Sequence, residues 1–314
     1  MESNNSTTYD LAIIGGGPAG VAAGIYAARK KLKTVIIADK FSGQSVVATD
    51  IQNWIGTSSI SGQELAKNME NHLKTYAGDK IDIKGNQKVE DIKEIGKNVF
   101  EIKTKEETYQ TKAILVATGS HRRRLQAKNA DELEHRGITY CASCDGPLFT
   151  GKDVVVIGGG NAGFESASQL LAYAKSVTIL HRNGKFKADE VTVQKLSEYP
   201  NFKIITNAET VEVLGDKSVT GLIYKDIETG EEKEIKTEGI FVEIGAVPTT
   251  GFVANLVDLT EYNAIKVDPK TQKTSKEGIW AAGDCTDGLY HQNNIAVGDA
   301  VKALENIYLY LKTK

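Results

Sequence analysis

Cysteine is scarce in this chain, which has three among its 314 residues. So few cysteines exclude the disulfide framework of a small secreted protein, and two of them have the CxxC spacing that is used for thiol exchange. A large excess of charge of one sign is also missing, because the formal net charge is −3. We therefore expect an ordinary soluble composition in a reducing cytoplasm, with neither nucleic acid nor an acidic membrane as a partner.

A membrane or targeting segment is not expected either. Residues 11–28 contain no charge and are long enough to resemble a span, but a glycine cluster interrupts them. Residues 1–10 carry acids where a signal peptide would carry basic residues. The length of 314 residues is about twice the usual domain size, so two domains are expected.

The first glycine cluster, GGGPAG, lies in a predicted βαβ unit. The hydrophobic pattern predicts a strand over 9–14, a helix over about 18–31 and a strand over 34–38. Its glycines suit a tight turn, a close approach to a pyrophosphate and close helix packing, and Asp39 can accept hydrogen bonds from a ribose diol. This pattern predicts an adenine-dinucleotide site. Its predicted binding residues are Gly15, Gly17, Pro18, Ala19, Gly20, Asp39 and Lys40.

The same pattern recurs 143 residues later as GGGNAG, between a predicted strand over 152–157 and a helix over 164–173. After the next strand, over 176–180, Arg182 stands where the first unit has Asp39. A basic residue there suits a ribose 2′-phosphate and favours NADPH over NADH, although Arg182 could instead be a solvated charge. The predicted nicotinamide-nucleotide residues are Gly158, Gly160, Asn161, Gly163, Glu165, His181, Arg182 and Lys187.

The CxxC pair lies between the two glycine clusters. Two dinucleotide sites in one chain suggest a flavin that is reduced by a nicotinamide, and the cysteines Cys141 and Cys144 supply the next acceptor. A pair that opens a helix can have a lowered thiol pKa, and Asp145 beside it can either move the proton or cap the helix. Zinc would need four ligands, and Cys285 lies in another motif. The predicted catalytic residues are Cys141, Cys144 and Asp145.

Four longer motifs carry a family resemblance: CASCDGPLF at 141–149, KAD at 187–189, GIFVEIG at 239–245 and AAGDCT at 281–286. Over nearly its whole length the chain resembles the low-molecular-weight thioredoxin reductases, which are class II pyridine nucleotide-disulfide oxidoreductases. Its central and C-terminal parts are also similar to the flavoprotein component of alkyl hydroperoxide reductase. The thioredoxin-like extension of that component is missing before the first glycine cluster, so the resemblance implies a separate protein as electron acceptor.

The resemblance implies an α/β fold with two Rossmann-like dinucleotide-binding domains. Residues 1–118 and 248–314 would form a discontinuous FAD-binding domain, and residues 119–247 would form an inserted NAD(P)H-binding domain that carries the CxxC. Hinges are expected near Gly119 and Gly245, with a domain rotation between them. A homodimer is also implied.

The resemblance assigns individual residues as well. Cys144 would face the flavin, and Cys141 would exchange with the partner. Small-residue packing could explain any one of the glycines at the flavin, but it does not explain the whole set in family order. The flavin residues implied in this way are Gly43, Gln44, Asn53, Thr118, Gly119, Gly283, Asp284, Gln292, Asn293, Ile295 and Ala296.

The implied activity is that of a thioredoxin-disulfide reductase that uses NADPH and FAD and reduces thioredoxin or a thioredoxin-like redoxin. Departures from the family pattern keep alternatives open, because Asn183 replaces a second arginine and Lys187 a third. The donor could be NADH or ferredoxin, and the acceptor a peroxiredoxin-linked redoxin. A flavin-bound redox sensor without turnover is an alternative of another class.

Overall fold

The computed structural model describes residues 8–48, 50–186 and 188–313. Single turns of 3₁₀ helix lie at Gln44–Val47, Gly146–Phe149 and Gly251–Val253. The α-helices are α1 Pro18–Arg29, α2 Gly62–Ala77, α3 Ala142–Asp145, α4 Asn161–Leu170, α5 Glu190–Ser197 and α6 Asn293–Thr313. The strands are β1 Thr8–Tyr9, β2 Leu11–Ile14, β3 Thr34–Ile37, β4 Ile81–Lys84, β5 Val89–Gly96, β6 Val99–Thr104, β7 Thr108–Thr111, β8 Ile114–Val116, β9 Ser120–Arg122, β10 Ile138–Thr139, β11 Asp153–Ile157, β12 Ser176–Leu180, β13 Phe202–Ile205, β14 Ala208–Gly215, β15 Val219–Asp226, β16 Glu232–Lys236, β17 Gly239–Val242, β18 Ala246–Pro248 and β19 Ile279–Ala281.

The chain divides into two compact units. The first unit contains the described residues up to His121 and those from Val247 onward, and the second unit is Arg122–Ala246. The short strands β9 and β18, which pair with each other, carry the chain out of the first unit and back. Gly119 and Gly245 flank these connections, with φ of 65° and 99° respectively. An added Cβ at either glycine would meet no atom within 4 Å.

The first unit is built on a parallel sheet of strand order β19-β8-β2-β3-β4. Alternate residues of a strand point to opposite faces of its sheet. Leu11 and Ile13 accordingly lie in a core with residues of α1 and α6, whereas Ala12 and Ile14 lie in a second core. The second core includes Phe100 of the sheet β1-β7-β6-β5. The central sheet is therefore covered on both faces, as parallel sheets usually are.

The second unit repeats this plan. Its parallel sheet has the order β10-β17-β11-β12-β13. Val154 and Val156 pack in a core with Phe164 of α4, and Val155 lies in another core with Leu222 of the antiparallel sheet β14-β15-β16. The predicted α/β class with two Rossmann-like units is therefore confirmed.

Two predicted helix bounds were wrong. The helix predicted over 164–173 is α4, which begins at Asn161 and ends at Leu170. It lies earlier than predicted because Gly160 is its N-cap and the residues after Gly160 are already helical. The first helix ends at Arg29 instead of Lys31, which has a φ of 56° that a right-handed helix cannot continue through. Among the described residues, no helix has the length and apolar character needed to cross a membrane.

Candidate active site

The first glycine turn is a close-packed connection between β2 and α1. Gly15 has a φ of 122°, and an added Cβ would lie 2.1 Å from the carbonyl oxygen of Ala117. A Cβ on Gly20 would lie 1.9 Å from the carbonyl oxygen of Gly15, so the helix can approach the turn only with glycine at this position. Gly17 is the N-cap of α1, followed by Pro18 at the first helical position. The turn therefore presents backbone at a helix N-terminus that carries no acid, which suits an anion.

Asp39 and Lys40, which the sequence predicts to bind the dinucleotide, stand beside this turn. Both are exposed and follow β3, which pairs with β2. An added Cβ on Gly16 would lie 2.5 Å from the carbonyl oxygen of Lys40. The carboxylate that was predicted to bind a ribose therefore lies on a segment in direct contact with the glycine turn.

Two regions far apart in the chain, residues 45–53 and 292–294, meet at the start of α6. The Asn53 side-chain amide donates to Gln292 Oε1 at 3.2 Å, and the Ser45 hydroxyl donates to Asn293 Oδ1 at 3.0 Å. Asn294 Nδ2 donates to the carbonyl oxygen of Asn53 at 2.8 Å. The structure thus brings together the predicted flavin residues at 53 and 292–293. Gly43 and Gln44, which are also predicted, open the 3₁₀ turn that contains Ser45, and Gly43 Cα lies 3.6 Å from the ideal Cβ position of Gly17.

Gly283 packs between the N-terminal turns of α1 and α6. Its φ is 74°, and an added Cβ would lie 3.2 Å from the Ala296 Cβ and 3.5 Å from the Ala19 Cβ. Asp284 beside it is half-buried, and Ile295 is exposed. Thr118 follows β8 and donates its hydroxyl to the carbonyl oxygen of Thr249 at 2.6 Å. The predicted flavin residues of the first unit therefore cluster at the carboxyl edge of its parallel sheet and fit an extended dinucleotide.

The second glycine turn repeats the geometry of the first. Gly158 has a φ of 132°, and an added Cβ would lie 2.2 Å from the carbonyl oxygen of Glu243. A Cβ on Gly163 would lie 2.1 Å from the carbonyl oxygen of Gly158, whereas a Cβ on Gly160 would meet nothing within 4 Å. Asn161 Oδ1 accepts a hydrogen bond from the Asp189 backbone N–H at 2.9 Å. The open approach at Gly160 fits a ligand phosphate at this helix N-terminus.

The residues after β12 line the same turn. An added Cβ on Gly159 would lie 2.5 Å from the His181 ring, so the ring lies against the turn. His181 Nε2 is 3.1 Å from the carbonyl oxygen of Lys185. Arg182 and Glu165, which is on α4, are both exposed, so both can reach a bound molecule. Lys187, the remaining predicted residue of this group, lies outside the described residues.

The cysteine pair forms a disulfide at the start of a short helix. Cys141 and Cys144 are bonded, with their Cα atoms 5.3 Å apart. Cys141 is the N-cap of α3, and its Sγ accepts a hydrogen bond from the Cys144 backbone N–H at 3.2 Å. Cys144 is exposed and Cys141 is half-buried. The bond is therefore open to attack by a thiolate.

Asp145 does not cap a helix N-terminus through its side chain, which was the alternative to a role in proton transfer. It is the last residue of α3, and its carboxylate accepts a hydrogen bond from the Thr139 hydroxyl. Burial raises the pKa of this carboxyl, while the bond from Thr139 and the charge of His135 lower it. A partly buried carboxyl with a raised pKa, next to a reducible disulfide, is equipped to hold a proton.

Sequence reasoning missed a buried acid at the second turn. The Glu243 side chain is 6% exposed and directly follows β17, and the Ser166 hydroxyl donates to its Oε1 at 2.7 Å. Burial raises the pKa of this carboxyl, and the negative charge of Glu165 also raises it. The hydrogen bond from Ser166 and the positive charge of Arg122 lower it. The available signal was an acid between the buried run Gly239–Val242 and Gly245.

Known proteins are similar to this chain over most of its length. Residues 9–300 match the family model described as pyridine nucleotide-disulphide oxidoreductase. A thioredoxin reductase structure from Streptococcus pyogenes MGAS5005 is 32% identical with a TM-score of 0.90, and the match covers 99% of this chain and 100% of that one.

Two curated relatives are longer than this chain. An NADH dehydrogenase of Bacillus subtilis (strain 168) is 40% identical over 304 residues, which cover 96% of this chain and 58% of that protein. The F component of the alkyl hydroperoxide reductase of Xanthomonas campestris pv. phaseoli is 40% identical over 306 residues, which cover 96% and 57%. This chain thus spans somewhat over half the length of these two relatives. It belongs to the pyridine nucleotide-disulphide oxidoreductase family, in which a flavin and a pyridine nucleotide act with a disulfide.

Proposed function

We propose that this protein is a thioredoxin-disulfide reductase that passes electrons from NADPH through FAD and the Cys141–Cys144 disulfide to thioredoxin or a thioredoxin-like redoxin. The observation that carries the proposal is the position of the disulfide. The unit that holds the second glycine turn also presents Cys144 at its surface, followed by Asp145, whose carboxyl has a pKa raised by burial. A protein that only binds dinucleotides needs neither group.

Each unit has its own part in this reaction. The first unit would hold FAD with Gly17 and Gly283 close to its phosphates and with the amides of Asn53 and Gln292 near its ring. The second unit would hold the nicotinamide nucleotide on the turn that contains Gly160. The bound cofactors supply hydride and electron transfer, and the protein orients them.

The thiols and Asp145 would complete the chemistry. Reduction of the disulfide uses two electrons and two protons and yields two thiols, of which the Cys141 thiolate would attack the disulfide of the redoxin. Asp145 would supply the proton that the departing thiolate needs, since its carboxyl holds a proton at a higher pH than an exposed one. Cys144 would face the flavin during reduction.

The donor has a second candidate. Arg182 lies just after β12, separated from the strand by His181. A cation at this position can pair with a ribose 2′-phosphate, which favours NADPH as the donor. NADH is supported by the printed name of one relative, an NADH dehydrogenase, and by Asn183, which stands where the family pattern has a second arginine. The alkyl hydroperoxide reductase relative also makes a peroxiredoxin-linked redoxin a candidate acceptor. We further propose a homodimer and a cytoplasmic location.

Anaerobic stopped-flow absorbance of the flavin-loaded protein would test the proposal. NADPH and NADH are mixed separately with the wild type and with Cys144→Ser, and flavin bleaching is followed, after which turnover is measured with thioredoxin. We expect rapid bleaching by NADPH in both proteins but thioredoxin reduction only in the wild type. Faster bleaching by NADH would assign NADH as donor, and no bleaching by either would point to ferredoxin. Bleaching without turnover on any redoxin would support a redox sensor instead.

A further inference from the structure

Glu243 places a buried carboxyl at the second glycine turn. Its Oε1 accepts the hydrogen bond from Ser166, and its Oε2 lies 3.8 Å from Arg122 Nη1. Burying an ionised carboxyl costs free energy unless both of its oxygens have partners. Here Oε1 has a hydroxyl donor, whereas Oε2 has a cation only at the outer limit of ion-pair distance. The second oxygen therefore retains the capacity to interact with a further positive group.

The two units differ at this position. In the first unit, the carbonyl oxygen against Gly15 belongs to Ala117, and in the second unit the carbonyl oxygen against Gly158 belongs to Glu243. Both residues follow the strand that lies beside the glycine-turn strand, β8 beside β2 and β17 beside β11. One position of a repeated framework thus carries a methyl group in the first unit and a carboxylate in the second.

The order of the strands locates Glu243 relative to a bound dinucleotide. In open α/β sheets, ligands bind across the carboxyl ends of the strands where the strand order reverses, which in this sheet is between β11 and β17. Arg182 follows β12 on one side of the turn, and Glu243 follows β17 on the other. A dinucleotide whose adenosine half lies toward Arg182 directs its nicotinamide half toward Glu243. This step rests on the proposed nucleotide site of the second unit.

We propose that the Glu243 carboxylate is the counter-charge for the oxidised nicotinamide ring and makes this protein bind the oxidised nucleotide more tightly than the reduced one. The oxidised ring carries one positive charge that the reduced ring lacks. Opposite charges attract more strongly in a buried site than in water, so a carboxylate there acts on the difference between the two forms. Ser166 and Arg122 act as positioning residues for the Glu243 carboxylate.

A pH dependence follows. The charged groups that act on Glu243 are Arg122 on β9 and Glu165 on α4, and the Ser166 hydroxyl also faces it. Burial raises the pKa of Glu243 above that of an exposed carboxyl, so it holds a proton to higher pH. Because only the ionised carboxyl attracts the oxidised ring, affinity for oxidised nucleotide should increase as pH rises through this pKa. Binding of the oxidised form should also release protons.

Titration calorimetry on the flavin-loaded protein would test this inference. The probes are NADP⁺ and its tetrahydro analogue, which has an uncharged ring and donates no hydride. We expect Glu243→Gln to weaken NADP⁺ binding about tenfold and to change binding of the analogue less than about twofold. The matched control is Glu238→Gln, an exposed acid just before the amino end of the same strand, which should change neither.

Three outcomes are decisive. Equal effects of Glu243→Gln on both probes, or none, would overturn the inference. Should this variant fold poorly, the wild type provides the test. Proton release on binding NADP⁺ but not the analogue, measured from neutral pH downward through the pKa of Glu243 in buffers of different ionisation enthalpy, would support the inference, and its absence at every pH would overturn it. Failure of the wild type to bind either NADP⁺ or NAD⁺ would instead overturn the proposed nucleotide site.

Discussion

The Thr139 hydroxyl donates a hydrogen bond to the Asp145 carboxylate and so ties the end of β10 to the helix that carries the disulfide. This bond stabilises the ionised carboxyl, whereas burial stabilises the protonated one and is the stronger influence on its pKa. The contact therefore keeps the raised pKa of Asp145 from rising further. It also fixes the carboxyl of the residue that directly follows Cys144.

Asp145→Asn should lower turnover with a redoxin about 100-fold, because an amide cannot give up or take a proton at this position. Flavin reduction by the nucleotide should be unchanged, since the substitution leaves both dinucleotide sites intact. Stopped-flow bleaching and steady-state redoxin reduction, measured on the same preparation, separate the two steps. A loss of bleaching equal to the loss of turnover would contradict the assignment of Asp145 to proton transfer.

Thr139→Val should shift the pH dependence of redoxin reduction. Removing the hydroxyl removes an interaction that lowers the Asp145 pKa, so the carboxyl should stay protonated to higher pH. The limb of the rate profile that reports this group should move to higher pH, whereas Thr139→Ser, which keeps a hydroxyl, should leave it in place. An unshifted limb in the valine variant would mean that another group controls the profile.

Arg182→Gln should weaken NADPH binding about tenfold or more and leave NADH binding nearly unchanged, because only NADPH has the 2′-phosphate that a cation can pair with. Lys203→Gln is the control, because it removes an exposed cation from β13 of the same unit. Kd values from calorimetry with the oxidised nucleotides would measure the effect. Equal losses for both nucleotides would make Arg182 a surface charge.

Gly283→Ala and Gly298→Ala should have opposite effects. Gly283 has a φ of 74°, and an added Cβ would lie close to the Ala296 Cβ. The alanine should therefore lower the free energy of unfolding by about 1–3 kcal/mol and reduce the amount of flavin that co-purifies. Gly298 lies within α6 with no atom near an added Cβ, so the alanine there should stabilise the protein by about 0.5–1 kcal/mol. Denaturant unfolding and flavin absorbance provide the measurements, and equal changes would contradict this account of Gly283.

Cys285 should be unreactive in the folded protein. It is fully buried, its thiol faces the carbonyl oxygens of Val116 and Ala282, and burial raises its pKa to about 11. A thiolate is the reactive form, so a colorimetric thiol reagent should titrate two thiols in the reduced native protein and a third only after unfolding. A third thiol reacting at the rate of the first two would show that this part of the first unit opens.

Local sequence was sufficient to place the two glycine clusters and the cysteine pair of the candidate site. Both glycine clusters could be placed between a strand and a helix, because each occurs between an apolar run and a helical pattern. The CxxC was recognisable by its spacing. The end of a helix was less predictable, as Lys31 shows, because a single left-handed residue decides it.

The contacts between distant segments required the tertiary structure. The bond between Asn53 and Gln292 joins residues 239 positions apart, and no local pattern pairs them. In the sequence, Glu243 resembles an ordinary acid after a strand. In the fold its carbonyl oxygen lies against Gly158, and its carboxylate accepts a hydrogen bond from Ser166. The sequence by itself determined the strand, glycine turn and helix of each βαβ unit to within a few residues, because those depend on near neighbours. Only the tertiary structure decided which acids are buried and which side chains meet, because burial and pairing depend on how the strands are ordered in each sheet.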